Sequence, residues 1–151
     1  MKGGDVAGLL AALANLEADL LSIGAHGRSR AAGVLFGSVA TAMARHATCS
    51  VLIARDTVTD VFPGLIVHAS DGSPESLDAA REPVPKVVQG SPHRRIVEVA
   101  DETGASLVVM GSRGRTGLKA LGSVSERVAH RAPCSVLIVR QPAHPSRDDG
   151  T

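Results

Sequence analysis

Two glycine-rich stretches hold the residues of this chain best suited to chemistry. The later one is Met110-Gly-Ser-Arg-Gly-Arg-Thr-Gly-Leu-Lys-Ala-Leu-Gly-Ser-Val-Ser125, which follows the apolar run Leu107-Val-Val-Met110. The earlier one is Ile23-Gly-Ala-His-Gly-Arg-Ser-Arg-Ala-Ala-Gly-Val-Leu-Phe-Gly-Ser-Val39, which follows Ala18-Asp-Leu-Leu-Ser-Ile23. A strand that empties into a glycine turn and then a helix start presents backbone N–H groups to whatever lies above, and such a cradle suits phosphate. Gly24 and Gly27 correspond to Gly111 and Gly114, and Gly37-Ser38 to Gly122-Ser123. The plainer reading, glycines that only make tight turns, stays open at this point. So does that of Arg113 and Arg115, which either pair with phosphate oxygens or are solvated loop charges.

These loops need strands below them and helices after them, and the chain repeats that arrangement. Between Gly37–Arg55 and Gly122–Arg140, 11 of 19 positions are identical, including Cys-Ser-Val-Leu-Ile and the closing Arg. Two copies about 85 residues apart mean duplication of one unit rather than a short-period solenoid. Apolar spacing predicts a helix over 5–17 with Asp5 as its cap, strands at Leu20–Ile23 and Ser50–Ala54, and a helix at Ser38–His46. Residues 56–63 read as a linker. Beyond it come a strand Gly64–Ala69, the turn Ser70-Asp-Gly-Ser-Pro74, and a short helix Glu75–Arg81 that Pro83 and Pro85 stop. A strand Lys86–Gln89, a helix from Pro92 to near Gly104, a strand 106–110, a helix 124–131 and a strand Ser135–Val139 follow. Residues 141–151 lack an apolar pattern and read as a disordered tail. Alternating strands and helices imply an α/β fold with a mostly parallel sheet, whose ligands bind over the carboxyl ends of strands.

Composition narrows the function. The hydrophobic share is 44%, yet Phe36 and Phe62 are the only aromatics, so the core is built from Val, Leu, Ile and Ala. Stacking platforms for single-stranded nucleic acid are excluded on that ground. A net charge of +1 gives no reason to expect nucleic acid or an anionic membrane. Residues 1–14 have the outline of a weak signal peptide, but Asp5 spoils its charged end, and a helix is expected instead. With no apolar run near about 18 residues, no membrane span is expected. Cys49 and Cys134 sit at equivalent repeat positions without neighbouring ligands, so they read as buried strand-start residues in a reducing, cytoplasmic setting. His26 lies in the first loop, His68 in an apolar strand, and His46, His93 and His130 on helices amid charges. No metal-ligand spacing and no Ser-His-Asp order emerges, so no catalytic residue and no enzymatic turnover is expected.

The run Val108-Val-Met-Gly-Ser-Arg-Gly-Arg-Thr-Gly-Leu118, continuing through Leu121-Gly-Ser-Val-Ser-Glu-Arg-Val-Ala-His-Arg-Ala-Pro-Cys-Ser-Val-Leu-Ile-Val-Arg140, resembles the C-terminal half of a universal stress protein domain. Ser70-Asp-Gly-Ser-Pro-Glu-Ser76 resembles that domain's first strand-turn-helix. ATP-binding members carry Gly-x2-Gly-x9-Gly-(Ser/Thr). The first loop keeps this spacing, whereas the second has seven residues, not nine, before Gly122. The resemblance implies a doubly wound, Rossmann-like fold of the adenine-nucleotide hydrolase-like type, with strand order 3-2-1-4-5, present here as two incomplete copies. Residues 1–55 would be the C-terminal half of a first domain, 64–140 a second domain with an internal deletion. The strand that supplies an adenine contact in the family has no room in that deletion.

Carried over residue by residue, the resemblance implies an adenine nucleotide near Asp71, Gly111, Arg113, Gly114, Gly122, Ser123 and Ser125. In the first copy the matching residues are Gly24, Gly27, Gly37 and Ser38. ATP, with Mg2+ accompanying it, is the implied cofactor, bound weakly because the loop and strand are shortened. The partner expectation is a homodimer, or intramolecular pairing of the copies through antiparallel strands Cys49–Arg55 and Cys134–Arg140, which would hold the two cysteines apart. The alternative is an interaction module of the same fold that binds no nucleotide.

Overall fold

The computed structural model describes residues 6–26, 37–56, 62–72, 88–112 and 121–140. Within them, α1 (Val6–Asn15), β1 (Leu20–Gly24), α2 (Ser38–His46), β2 (Ser50–Ala54), β3 (Ile66–Ala69), α3 (Pro92–Glu102), β4 (Leu107–Gly111), α4 (Ser123–Arg131) and β5 (Ser135–Val139) follow one another. The strands form one sheet in the order β1-β2-β5-β4-β3. Neighbours run parallel except β2 and β5, which pair antiparallel with Val51 opposite Ile138, Leu52 opposite Leu137 and Ile53 opposite Val136. The sheet is therefore α/β and mostly parallel, with its one reversal at its centre.

Local chemistry explains the elements. SVLIA and SVLIV are aliphatic and β-branched runs that suit central strands. On one face Val51, Ile53, Val136 and Ile138 are fully buried; Leu52 and Leu137, on the other, are half-buried. α2 and α4 end alike: Ala47 N–H donates to the Met43 carbonyl at 3.0 Å and Ala132 N–H to that of Val128 at 2.8 Å. Both cap residues are extended, which sends the chain directly into the next strand. Small residues, among them Ala40, Ala44, Ala100 and Ala129, line the helix faces of the core and let helix and sheet approach closely.

The structure corrects parts of the sequence reading. The strand expected at Gly64–Ala69 begins two residues later. Val88 and Gln89 lie in no strand: Gly90 at φ +120°, a conformation that favours glycine, turns the chain into α3. His93, on α3 amid charges as expected, is 8% exposed. Asp5, the linker's residues 57–61, the helix Glu75–Arg81, residues 86–87 and the tail 141–151 lie outside the described residues. Cys49 and Cys134 are both buried free thiols, as expected. In the β2–β5 register each faces the far end of the other strand, about six residues or roughly 20 Å away.

Candidate functional site

At the carboxyl end of β3 and β4 the register places Ala69 beside Met110, so Ser70-Asp71 and Gly111-Ser112 leave the sheet side by side. The Ser70 hydroxyl accepts a hydrogen bond from Gly72 N–H at 2.9 Å, closing a tight turn in which Gly72 has φ +77°. Ser112 N–H donates to the Val139 carbonyl and Gly122 N–H to that of Ser112, both at 2.9 Å. These bonds bring the start of α4 back over the strand end. No side chain caps α4 at Gly122, and Ser123 is exposed there. A helix start of this kind attracts anions through its N–H groups and dipole.

Ser125 is 4% exposed and donates its hydroxyl to the Gly111 carbonyl at 2.9 Å. Its proton thus ties the helix to the strand end. Arg113 and Gly114 lie outside the described residues. Gly111, Gly122, Ser123 and Ser125 are therefore the predicted residues that hydrogen bonds bring to one place, and Asp71 follows the neighbouring strand β3 by two residues. Asp71 is exposed and its carboxylate suits ribose hydroxyls, while Ser123 and the α4 start suit phosphate.

The first loop opens elsewhere. Gly24 ends β1, and Gly37 N–H donates to the Ala25 carbonyl at 2.8 Å, just as Gly122 does to Ser112. Ser38 begins α2 and is exposed; Gly27 lies outside the described residues. Because β2 and β5 run in opposite directions, the carboxyl end of β1 lies at the other end of the sheet from that of β4. Gly24, Gly37 and Ser38 do not join Asp71 in one site. Among the described residues β1 pairs on one side only, so nothing there stands to β1 as β3 stands to β4.

The sequence reading missed the chemistry of the central junction. The Arg55 guanidinium donates to the carbonyl of Cys134 at 3.2 Å and to that of Ala129; Arg140 does the same to Cys49 at 3.2 Å and Ala44 at 2.6 Å. The signal was present: the same Arg closes both Cys-Ser-Val-Leu-Ile runs. Beside Arg55 lies a cavity of about 350 Å³ whose walls include His26, Asp56, His130 and Arg131. Burial, reinforced by Arg45, Arg55 and Arg131, lowers the His130 pKa against the opposing pull of Glu126. Burial likewise lifts the Cys134 thiol, with Arg55 pulling the other way. Among the described residues no group of three His, Cys, Asp or Glu side chains could hold a metal. No described helix is long and apolar enough to cross a membrane.

Comparison with known proteins gives a family. The profile of the universal stress protein family matches residues 2–55 and 78–140, more than half of the chain. Universal stress protein MJ0531 of Methanocaldococcus jannaschii is 48% identical over 59 residues, which are 38% of this chain and 35% of that protein. Universal stress protein YxiE of Bacillus subtilis is 53% identical over 53 residues, 34% of this chain and 36% of its own. These matches span about a third of the length of the curated relatives. Among solved structures, a Pseudomonas aeruginosa UCBPP-PA14 chain described as a universal stress protein superposes with a TM-score of 0.71 at 18% identity, covering 91% of this chain and 69% of that one. A universal stress protein from Archaeoglobus fulgidus gives 0.64 at 22% identity, covering 93% and 66%. At those identities the likeness is one of fold.

Proposed function

The chain belongs to the universal stress protein family, and we propose that it acts in a stress response by binding an adenine nucleotide weakly, without turnover, at the β3–β4 end of the sheet. The observation that supports this reading is the pairing of Ala69 with Met110, since Asp71 follows β3 by two residues and Gly111 ends β4 on the neighbouring strand. Asp71 would take the ribose, Ser123 and the α4 N–H groups the phosphates, and ATP would bring its own Mg2+. Gly114 and Arg113 complete the loop in sequence. Two features argue for low affinity. The second loop is two residues short of the family spacing, and hydrogen bonds tolerate displacements of only a few tenths of an ångström. The adenine-side strand also has little room between Asp71 and Gly90, and lost apolar contact costs about 25 cal/mol per Å².

The test is ATP binding by the whole chain and by Asp71→Ala and Ser123→Ala. Both substitutions weaken binding if the nucleotide sits at this end. Unchanged binding in both would move the site to Gly24, Gly27, Gly37 and Ser38. Absence of any binding would favour the interaction-module reading, whose support is the antiparallel β2–β5 pairing.

A further inference from the structure

We propose that the open edge of β1 is a self-association surface, where a second copy of this chain adds its own β1 antiparallel about a two-fold axis at Ser22. The outer strands of the sheet are β1 and β3. The pairing expected between β2 and β5 is already made inside the chain, so a partner strand has only an outer edge to join. The surface lies apart from Asp71 and the α4 start and goes beyond the nucleotide reading above.

The repeat shows what this edge lacks. α1 enters β1 as α3 enters β4, through a matching turn with Glu17 at φ +48° and Gly104 at φ +64°. In the later unit β3 covers the outer side of β4, and α3 packs on it. Leu107 there is 7% exposed, whereas Leu20 at the matching position is 53% exposed. α1 has no charged residue, yet none of its residues is buried. A helix that is apolar on all sides belongs inside a protein, and Leu9 and Leu16 are exposed as well.

The backbone of the edge is set for pairing. Ser50 N–H donates to the Asp19 carbonyl at 3.1 Å and Ala25 N–H to that of Ala54 at 2.8 Å. Alternate residues of a parallel strand face the same neighbour, so the odd-numbered residues of β1 serve β2. Leu20, Ser22 and Gly24 turn their N–H and C=O groups to the open side, a template for another strand. Centred on Ser22, an antiparallel pair sets Ser22 against Ser22 and Leu20 against Gly24, and the three residues of each copy bond.

Charge selects the occupant. Glu17 and Asp19 precede the strand, while His26, Arg28 and Arg30 follow it in sequence. Such a strand complements itself only when antiparallel, with the acidic start of one copy beside the basic end of the other. β3 offers no such match: residues 62–65 before it carry no charge, and Asp71 follows it. A two-fold pair also closes, which gives a discrete dimer rather than a filament.

The experiment is sedimentation velocity of the whole chain over a concentration series, with cysteine cross-linking to read the register. A monomer–dimer equilibrium that sodium chloride weakens is expected. Ser22→Pro removes a donor from the open edge and leaves the β1–β2 ladder intact, so it should weaken dimerisation about tenfold. Under mild oxidation Ser22→Cys should cross-link with itself, since bonded antiparallel pairs hold their Cα atoms about 5.5 Å apart, within disulfide reach. Leu20→Cys should cross-link with Gly24→Cys but not with itself. A Cβ at Gly24 comes no closer than 3.5 Å to its neighbours, so that variant keeps the fold. A monomer at every concentration would overturn the proposal, and so would Leu20→Cys cross-linking with itself. A dimer indifferent to Ser22→Pro would overturn it too and move the seam to β3. None of these readings depends on ATP, so the nucleotide site and this surface fail separately.

Discussion

Arg55 and Arg140 cross-brace the molecule: each closes its own strand and donates, at 3.2 Å, to the carbonyl of the cysteine that opens the other, Cys134 and Cys49. Their backbone N–H groups repeat the exchange, with Arg55 N–H on the Ser135 hydroxyl and Arg140 N–H on that of Ser50, both at 3.1 Å. Both guanidiniums also reach into the last turn of the partner helix.

Replacing either arginine by methionine removes donors from carbonyls at a part-buried junction, at a cost of about 2 kcal/mol each. The two braces lie roughly 20 Å apart, so the double variant should lose close to twice as much. Urea unfolding of the three variants measures this, and a cost near zero for either would show that water satisfies those carbonyls.

That junction was legible because the chain writes it twice. Cys-Ser-Val-Leu-Ile-x-Arg recurs with a fixed offset, so two equal apolar strands could be expected, and their antiparallel pairing was what the family resemblance implied. The crossing arginines could not, since the pattern marks the residue but not which backbone it reaches. His93, expected on a helix amid charges, does lie on α3 between Pro92 and Arg94, and its helical position turns it inward as α3 packs on α4. The site was half legible: the glycines mark strand ends, but the opposite directions of β2 and β5 decide that the two loops do not share a ligand.

Ser106 is 1% exposed; its hydroxyl accepts from Gly64 N–H at 2.8 Å and donates to the Leu65 carbonyl at 3.3 Å. Ser106→Ala removes both bonds, and because Gly64 is exposed its N–H can turn to water, so a loss of about 1 kcal/mol is expected. Thermal unfolding checks it, and a midpoint equal to wild type would mean the approach to β3 relaxes freely.

In phosphate-free buffer, stability should fall as pH drops below the ordinary imidazole range. The His130 pKa is lower folded than unfolded, first by burial and then by nearby arginines. Protonation therefore favours the unfolded chain, and the contribution is present above the unfolded value and lost as pH falls through the folded one. His130→Gln should flatten that part of the pH–stability curve. An unchanged slope would place the acid sensitivity elsewhere.

Cys134 follows the opposite sign. Burial raises its pKa, against the weaker pull of Arg55, so stability holds below the ordinary thiol range and declines as pH rises through the raised folded value. Alkylation at neutral pH should be slow in the folded chain and fast in denaturant; rapid labelling of the native protein would contradict the burial.

Leu20 is 53% exposed on β1, and Leu16 before it is 76% exposed. Apolar side chains on a strand edge promote association. Light scattering should show concentration-dependent association that Leu20→Lys reduces; a monomer at all concentrations would count against it.

The most direct test of the nucleotide reading is a single titration of the purified chain with labelled ATP, repeated on Asp71→Ala and Gly114→Ala. The account predicts weak, saturable binding that both substitutions reduce further, each tenfold loss corresponding to about 1.4 kcal/mol. Tight binding indifferent to both would contradict it.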